Sequence, residues 1–189
     1  MKKYIIFLLI FLILCSIFYN VVGINTNNYL NTNTPIDPEA KVFMPVLEEL
    51  PEYQRITYKH THKSFFLFQS DTVTLVVKYD DKTYRKEKKQ LGEKYIFLKD
   101  DKANEMKDII PENKFLINSY TFRVVDQLAN ESNTNNFMIP KSFGMIGTSD
   151  EKKSIAYLYF YDFDLDSIGQ QAEEHPMKNF VKTYFNYKF

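Results

Sequence analysis

From position 155 to position 165 every second residue is large and apolar: Ile155, Tyr157, Tyr159, Tyr161, Phe163 and Leu165 share one parity. A strand sends successive side chains to opposite faces, whereas a helix repeats roughly every 3.6 residues, so this set can be buried together only if the chain is extended. The spacing predicts a strand over 154–163. Its hairpin partner is expected at 142–147, joined through the polar stretch Thr148-Ser149-Asp150-Glu151-Lys152-Lys153. The same period recurs at 72–79, where Val73, Leu75, Val77 and Tyr79 alternate with Thr72, Thr74 and Lys78. That pattern predicts a strand buried on one face. Phe65-Phe66-Leu67-Phe68 lies just before it, and Gln69-Ser70-Asp71 reads as the turn of a hairpin between the two. Residues 115–125 read as one further strand, with Leu116, Tyr120, Phe122 and Val124 on a common face and Asn118 as its polar member.

Helical spacing appears in three places. Residues 83–91 line up Tyr84, Lys88 and Leu91 and reach Gly92, a residue suited to stopping a helix. Residues 103–110 bring Met106, Ile109 and Ile110 together before Pro111. Residues 177–187 place Phe180 over Tyr184 and Val181 over Phe185, an apolar stripe that should dock on a sheet. A short helix is also expected within 41–50, limited by Pro45. Strands joined by hairpins with helices interspersed predict an α+β domain, a mainly antiparallel sheet of about five to seven strands with two or three helices.

The N-terminus sets where this domain works. Met1-Lys2-Lys3 precedes an apolar run that extends over residues 4–22, interrupted only by Ser16 and Asn20. Its length is close to the roughly 20 residues that cross a bilayer as a helix, and lysines ahead of such a run stay on the cytoplasmic side. The organisation expected is a signal-anchor or signal peptide over 1–23, an Asn/Thr/Pro-rich spacer over 24–40, and a single extracytoplasmic domain over 41–189. Two other fates of the leader are open: cleavage near Gly23, which gives a secreted protein, or lipid attachment at Cys15. Poor placement of small residues at both sites favours a retained anchor.

Cys15 is the lone cysteine, so the domain beyond the leader can form no internal disulfide and no thiolate metal site. Setting aside Lys2 and Lys3 leaves a slight acidic excess, which gives no overall attraction to nucleic acid, and none is expected as a partner.

Two clusters could hold a cation. Asp162, Asp164, Asp166 and Glu173 match positions 1, 3, 5 and 12 of a calcium loop, but Ser167 stands where that loop needs glycine, and a strand leads into it. His60 and His62 form a His-x-His pair whose imidazoles share one side of a strand, as zinc or copper sites require. Their parity is that of Ile56 and Tyr58, which places them at the border of the buried face. His175 is the remaining histidine that could add a nitrogen ligand. The stretch 82–94 is rich in lysine and reads as a solvated helix face. Ser149-Asp150-Glu151-Lys152 has the spacing of a serine–lysine hydrolase motif, yet it falls at a hairpin tip with none of that motif's companions. No nucleophile elbow, zinc-protease pair or phosphate-cradling glycine loop occurs.

These features lead to the expectation of an extracytoplasmic binding, interaction or accessory domain, attached to the membrane through its N-terminal helix and meeting a protein or cell-envelope partner. A calcium- or zinc-binding domain is the alternative, and a hydrolase a more distant one.

Overall fold

The computed structural model describes residues 22–23, 38–65, 68–100, 110, 112–125, 141–162, 175–185 and 187–189, together with Tyr4, Ile6 and Leu8. The described chain runs through β1 (Val22–Gly23), α1 (Pro38–Phe43), a 3-10 turn (Leu47–Glu49), β2 (Arg55–Phe65), β3 (Phe68–Lys78), α2 (Asp81–Lys94), β4 (Lys114–Ile117), β5 (Tyr120–Val125), β6 (Lys141–Ser149), β7 (Ser154–Asp162) and α3 (Pro176–Phe185). The strands form one antiparallel sheet in the order β1-β2-β3-β7-β6-β5-β4, with β1 a two-residue edge against Thr61 and His62. This is an α+β fold.

The central strands are buried on both faces. On β3 and β7, Val73, Leu75, Val77, Ile155, Tyr157 and Tyr159 pack on one side beneath Ala40, Phe43 and Met44 of the α1 segment and Tyr84 and Leu91 of α2. Val76, Ala156, Leu158 and Phe160 pack on the other, beneath Met177, Phe180, Val181 and Phe185 of α3. The expectation of a one-sided strand at 72–79 is therefore corrected: Thr72, Thr74 and Val76 are buried too, because helices cover both sides of the sheet. Phe160 sits at the centre of the α3 face, its ring centroid 4.7 Å from Phe180, 5.3 Å from Phe143 and 5.3 Å from Tyr184. Burying each such ring contributes about 1.5–3 kcal/mol.

Three local readings change with the structure. Residues 115–125 are two strands, not one. Asn118 takes a left-handed backbone (φ 51°), and with Ser119 it makes a two-residue turn that sets Ile117 opposite Tyr120. Asparagine tolerates that conformation better than most residues. The turn reverses parity, so Phe115 and Ile117 are buried and Leu116 is exposed. The connection between β2 and β3 closes at Phe65 opposite Phe68, so Gln69, Ser70 and Asp71 lie within β3. Finally, α2 begins two residues earlier than expected because Asp80 caps it, accepting from the Lys82 and Thr83 amides at 2.8 and 3.1 Å. It runs past Gly92 to Lys94, and Gly92 has no positive φ with which to end it.

The hairpin of β6 and β7 and the docking of α3 agree with the sequence reading, and the strands reach Ser149 and Asp162. Most of the expected helix over 103–110 lies outside the described residues, though Ile110 is wholly buried. Tyr4, Ile6 and Leu8 are helical and exposed; Val22, the last residue of the expected apolar run, is extended in β1 with Gly23, and the residues between lie outside the described residues. No helix among the described residues is long and apolar enough to cross a membrane.

Gly147 shows how tightly the α3 face is filled. It pairs with Phe122, and a Cβ built on it would fall 2.4 to 2.7 Å from that ring. Phe122 is itself held by Phe115 at 5.5 Å and Phe189 at 5.0 Å. Gly147→Ala is expected to destabilise the protein by about 1–3 kcal/mol through overpacking, measured by urea unfolding, and an unchanged midpoint would contradict this account.

Candidate functional site

The two histidines anticipated from sequence do lie on one strand with a common orientation. In β2 they follow Ile56 and Tyr58 in parity, on the face shared with Val73, Leu75 and Val77. The border position expected for them holds only for His62, whose side chain is 16% exposed, against 1% for His60. His60 is enclosed because the sheet continues past it: it opposes Val73, which opposes Tyr159, and both are wholly buried.

A third group completes the cluster, and the sequence reading missed it. Asp71 pairs directly with His62 across the β2–β3 hairpin and lies diagonally from His60, both within reach of side chains on one face. Its wholly buried carboxylate receives His60 Nε2 at 2.7 Å and His62 Nδ1 at 2.9 Å, both on Oδ1. The signal was present, since Asp71 continues the parity of Val73, Leu75, Val77 and Tyr79. Assigning it to a turn concealed that.

The electrostatics of this cluster are unusual for a sheet core. Taking a carboxylate out of water costs on the order of several kcal/mol, and the two imidazoles offset that with hydrogen bonds. With Asp71 ionised, His60 carries its proton on Nε2, and its buried Nδ1 has no hydrogen-bond partner among the described residues. An unsatisfied buried nitrogen costs about 1–3 kcal/mol. Apolar residues of similar shape would fill this face at lower cost. The hydrogen bond to Asp71 holds the His62 pKa above its ordinary 6.5; burial opposes this, and the negative charge of Asp71 adds to it.

Chemically the three groups are of the kinds that could hold a metal ion. One ligand atom from each of His60, His62 and Asp71 lies within 4.8 Å of the others. Zinc bonds of about 2.0–2.1 Å in a tetrahedron separate neighbouring ligands by about 3.3 Å, so an ion here would require each of the two contacts to Asp71 to open by roughly half an ångström. Two nitrogens and one carboxylate oxygen fit zinc or a neighbouring divalent transition metal.

The other sequence candidates fall elsewhere. Asp162 ends β7 opposite Ser70 and Lys141, on the face away from Asp71. Asp164, Asp166 and Glu173 lie outside the described residues. His175 is exposed ahead of α3, in a cleft with Glu112, Lys114 and Leu116 at the β4 edge, so it is not a partner of the β2 pair. Ser149 accepts from the Lys152 amide at 3.2 Å, while the Lys152 ammonium sits 5.0 Å over the Tyr120 ring, an ordinary hairpin arrangement. Of the basic residues on α2, Lys88 clamps Asp150 at 2.7 and 2.9 Å beside the Tyr84 hydroxyl, tying the helix to the β6–β7 turn. Lys82, Lys86, Lys89 and Lys94 face solvent as expected.

Comparison with protein-family models, with curated proteins and with solved structures gave no match.

The His62 pKa has a consequence for stability. A folded-state value raised above the unfolded 6.5 gives stability that is fully present below 6.5 and is lost as the pH rises through the folded value. In metal-free buffer, urea unfolding should show stability falling as the pH rises above 6.5, with the His62 imidazole titrating above 6.5 by NMR. In Asp71→Asn, where burial acts without the carboxylate, that titration should move to lower pH; an unmoved titration would contradict the assignment.

Proposed function

We propose that the protein is an extracytoplasmic binding domain, held at a membrane by its N-terminal apolar run, whose sheet takes up a divalent transition-metal ion through His60, His62 and Asp71. One observation carries this reading: three ligand groups converge on a buried point of an otherwise apolar face. His60 Nε2, His62 Nδ1 and an Asp71 oxygen are the ligand atoms. Three protein ligands leave a coordination position for water or for a group brought by a partner, approached from the partly exposed His62 side. That open position joins the metal reading to the wider one, an interaction or accessory domain for a protein or cell-envelope partner. Calcium fits this cluster poorly, since hard cations take oxygen ligands.

Lys2 and Lys3 ahead of the apolar run support an orientation that leaves the domain outside. The pairing of Val22 and Gly23 with His62 and Thr61 supports a retained leader, because cleavage after Gly23 would strip β1 from the sheet. Mass measurement of the mature N-terminus checks this, and a chain starting at Ile24 would overturn it.

The metal site is tested on the full chain in detergent, stripped with chelator and heated with and without added ions. Zinc at about 100 times its dissociation constant should stabilise the fold by about 2.7 kcal/mol, and calcium should not. His62→Ala, at the more exposed ligand, should abolish the zinc effect while leaving a folded protein. No zinc-dependent rise, or a rise retained in His62→Ala, would sink the proposal.

A further inference from the structure

A second polar feature lies on the opposite face and at the opposite end of the hairpin. Where β2 begins and β3 ends, Arg55 and Lys78 are direct cross-strand partners, and Lys78 is in turn opposite Ser154 on β7. Like charges placed directly across two strands destabilise a sheet. Among the described residues no carboxylate pairs with either of them. Lys152, from the β6–β7 turn, and Lys188, from the chain end, line the same groove, whose volume is about 500 Å³. Among the described residues, four cations thus line the groove with one carboxylate, Glu151, in a protein with no net charge.

Hydroxyl-bearing residues also line the groove. Tyr120 Oη and Ser154 Oγ lie 2.6 Å apart in a buried hydrogen bond, and both residues line the groove, as does Thr57. Tyr187 forms part of the wall.

We propose that this groove binds a phosphate-bearing ligand. A tetrahedral oxyanion offers several acceptor oxygens in different directions, which suits a groove lined by ammonium, guanidinium and hydroxyl groups, and a doubly charged group offsets the repulsion between Arg55 and Lys78. The volume accommodates a phosphoryl group with an attached polyol or sugar, within the roughly 300–1,000 Å³ range of ligand clefts. The same chemistry is offered by a free phosphate ester and by the headgroup of an anionic phospholipid. The site is independent of the metal cluster, which lies on the other face of the sheet.

The test uses the full chain in nonionic detergent, with glycerol 3-phosphate and inorganic phosphate titrated at fixed ionic strength by calorimetry. A parallel arm measures binding of the full chain in discs of zwitterionic lipid to vesicles with and without phosphatidylglycerol. Saturable binding of glycerol 3-phosphate identifies a soluble ester as the source. Binding to the anionic vesicles alone identifies a headgroup. In either case Arg55→Ala with Lys78→Ala should weaken binding at least tenfold, and Lys188→Ala should weaken it by less. Both exposed cations can be removed without loss of fold, since their mutual repulsion goes with them, and unfolding without ligand checks this. The paired substitution Lys86→Ala with Lys89→Ala, on the solvent face of α2, should have no effect. Absence of binding in both arms, or binding undiminished when Arg55 and Lys78 are replaced, would overturn the proposal.

Discussion

Everything in this structure is organised around the two-sided burial of β7. Seven consecutive residues from Ser154 to Phe160 are buried, alternating between a tyrosine-rich face under α1 and α2 and an aliphatic and phenylalanine face under α3. A strand enclosed on both sides cannot slip in register, because a shift of one residue would exchange the two sets and bring Tyr157 and Tyr159 against Phe180 and Phe185. With β7 fixed, its hydrogen-bonded neighbours β3 and β6 are fixed as well, and through them β2 and β5. Without a disulfide in the domain, this packing is what holds the helices to the sheet.

The same register decides where charge is permitted. Toward the middle of β3 the two faces are apolar or carry threonine, and polar side chains gather only at the strand ends. At one end Asp71 is still enclosed by its neighbours and is held by two imidazoles; at the other, Arg55 and Lys78 open onto solvent beside Ser154. Both arrangements cost stability relative to neutral alternatives, one through desolvation and the other through repulsion. The proposed ions, a cation in the first and an anion in the second, would offset these costs. A single hairpin thereby carries a carboxylate–imidazole cluster and a basic cluster, on different faces and separated by the length of its strands.

Much of the fold could be read from the alternation of side chains. The hairpin of β6 and β7, a strand over 72–79, a helix over 83–91 and the docking helix α3 all follow from period and composition. Apart from the second buried face of β3 and the ends of α2, misreadings came at turns. Asn118 looked like the polar member of a strand face because Leu116 and Tyr120 share its parity, yet a two-residue turn there reverses parity and places Ile117, not Leu116, beside Tyr120 on the buried face. Asp71 looked like a turn residue because it followed Gln69 and Ser70, although its parity already placed it with Val73 and Leu75. The groove at Arg55, Lys78, Lys152 and Lys188 had no sequence signal, since its four cations come from four separate places in the chain.

By itself the sequence determined the class of fold, the apolar run at the N-terminus and the shared orientation of His60 and His62, since each depends on residues a few positions apart. Tertiary structure alone decided what those residues meet. Closing the β2–β3 hairpin at Phe65 and Phe68 is what makes Asp71 the partner of His62, and covering the sheet on both faces is what buries His60. The physical reason is that pairing across an antiparallel sheet depends on where each turn closes, and a turn's position is set by the packing of whole strands rather than by the local preferences of the residues within it.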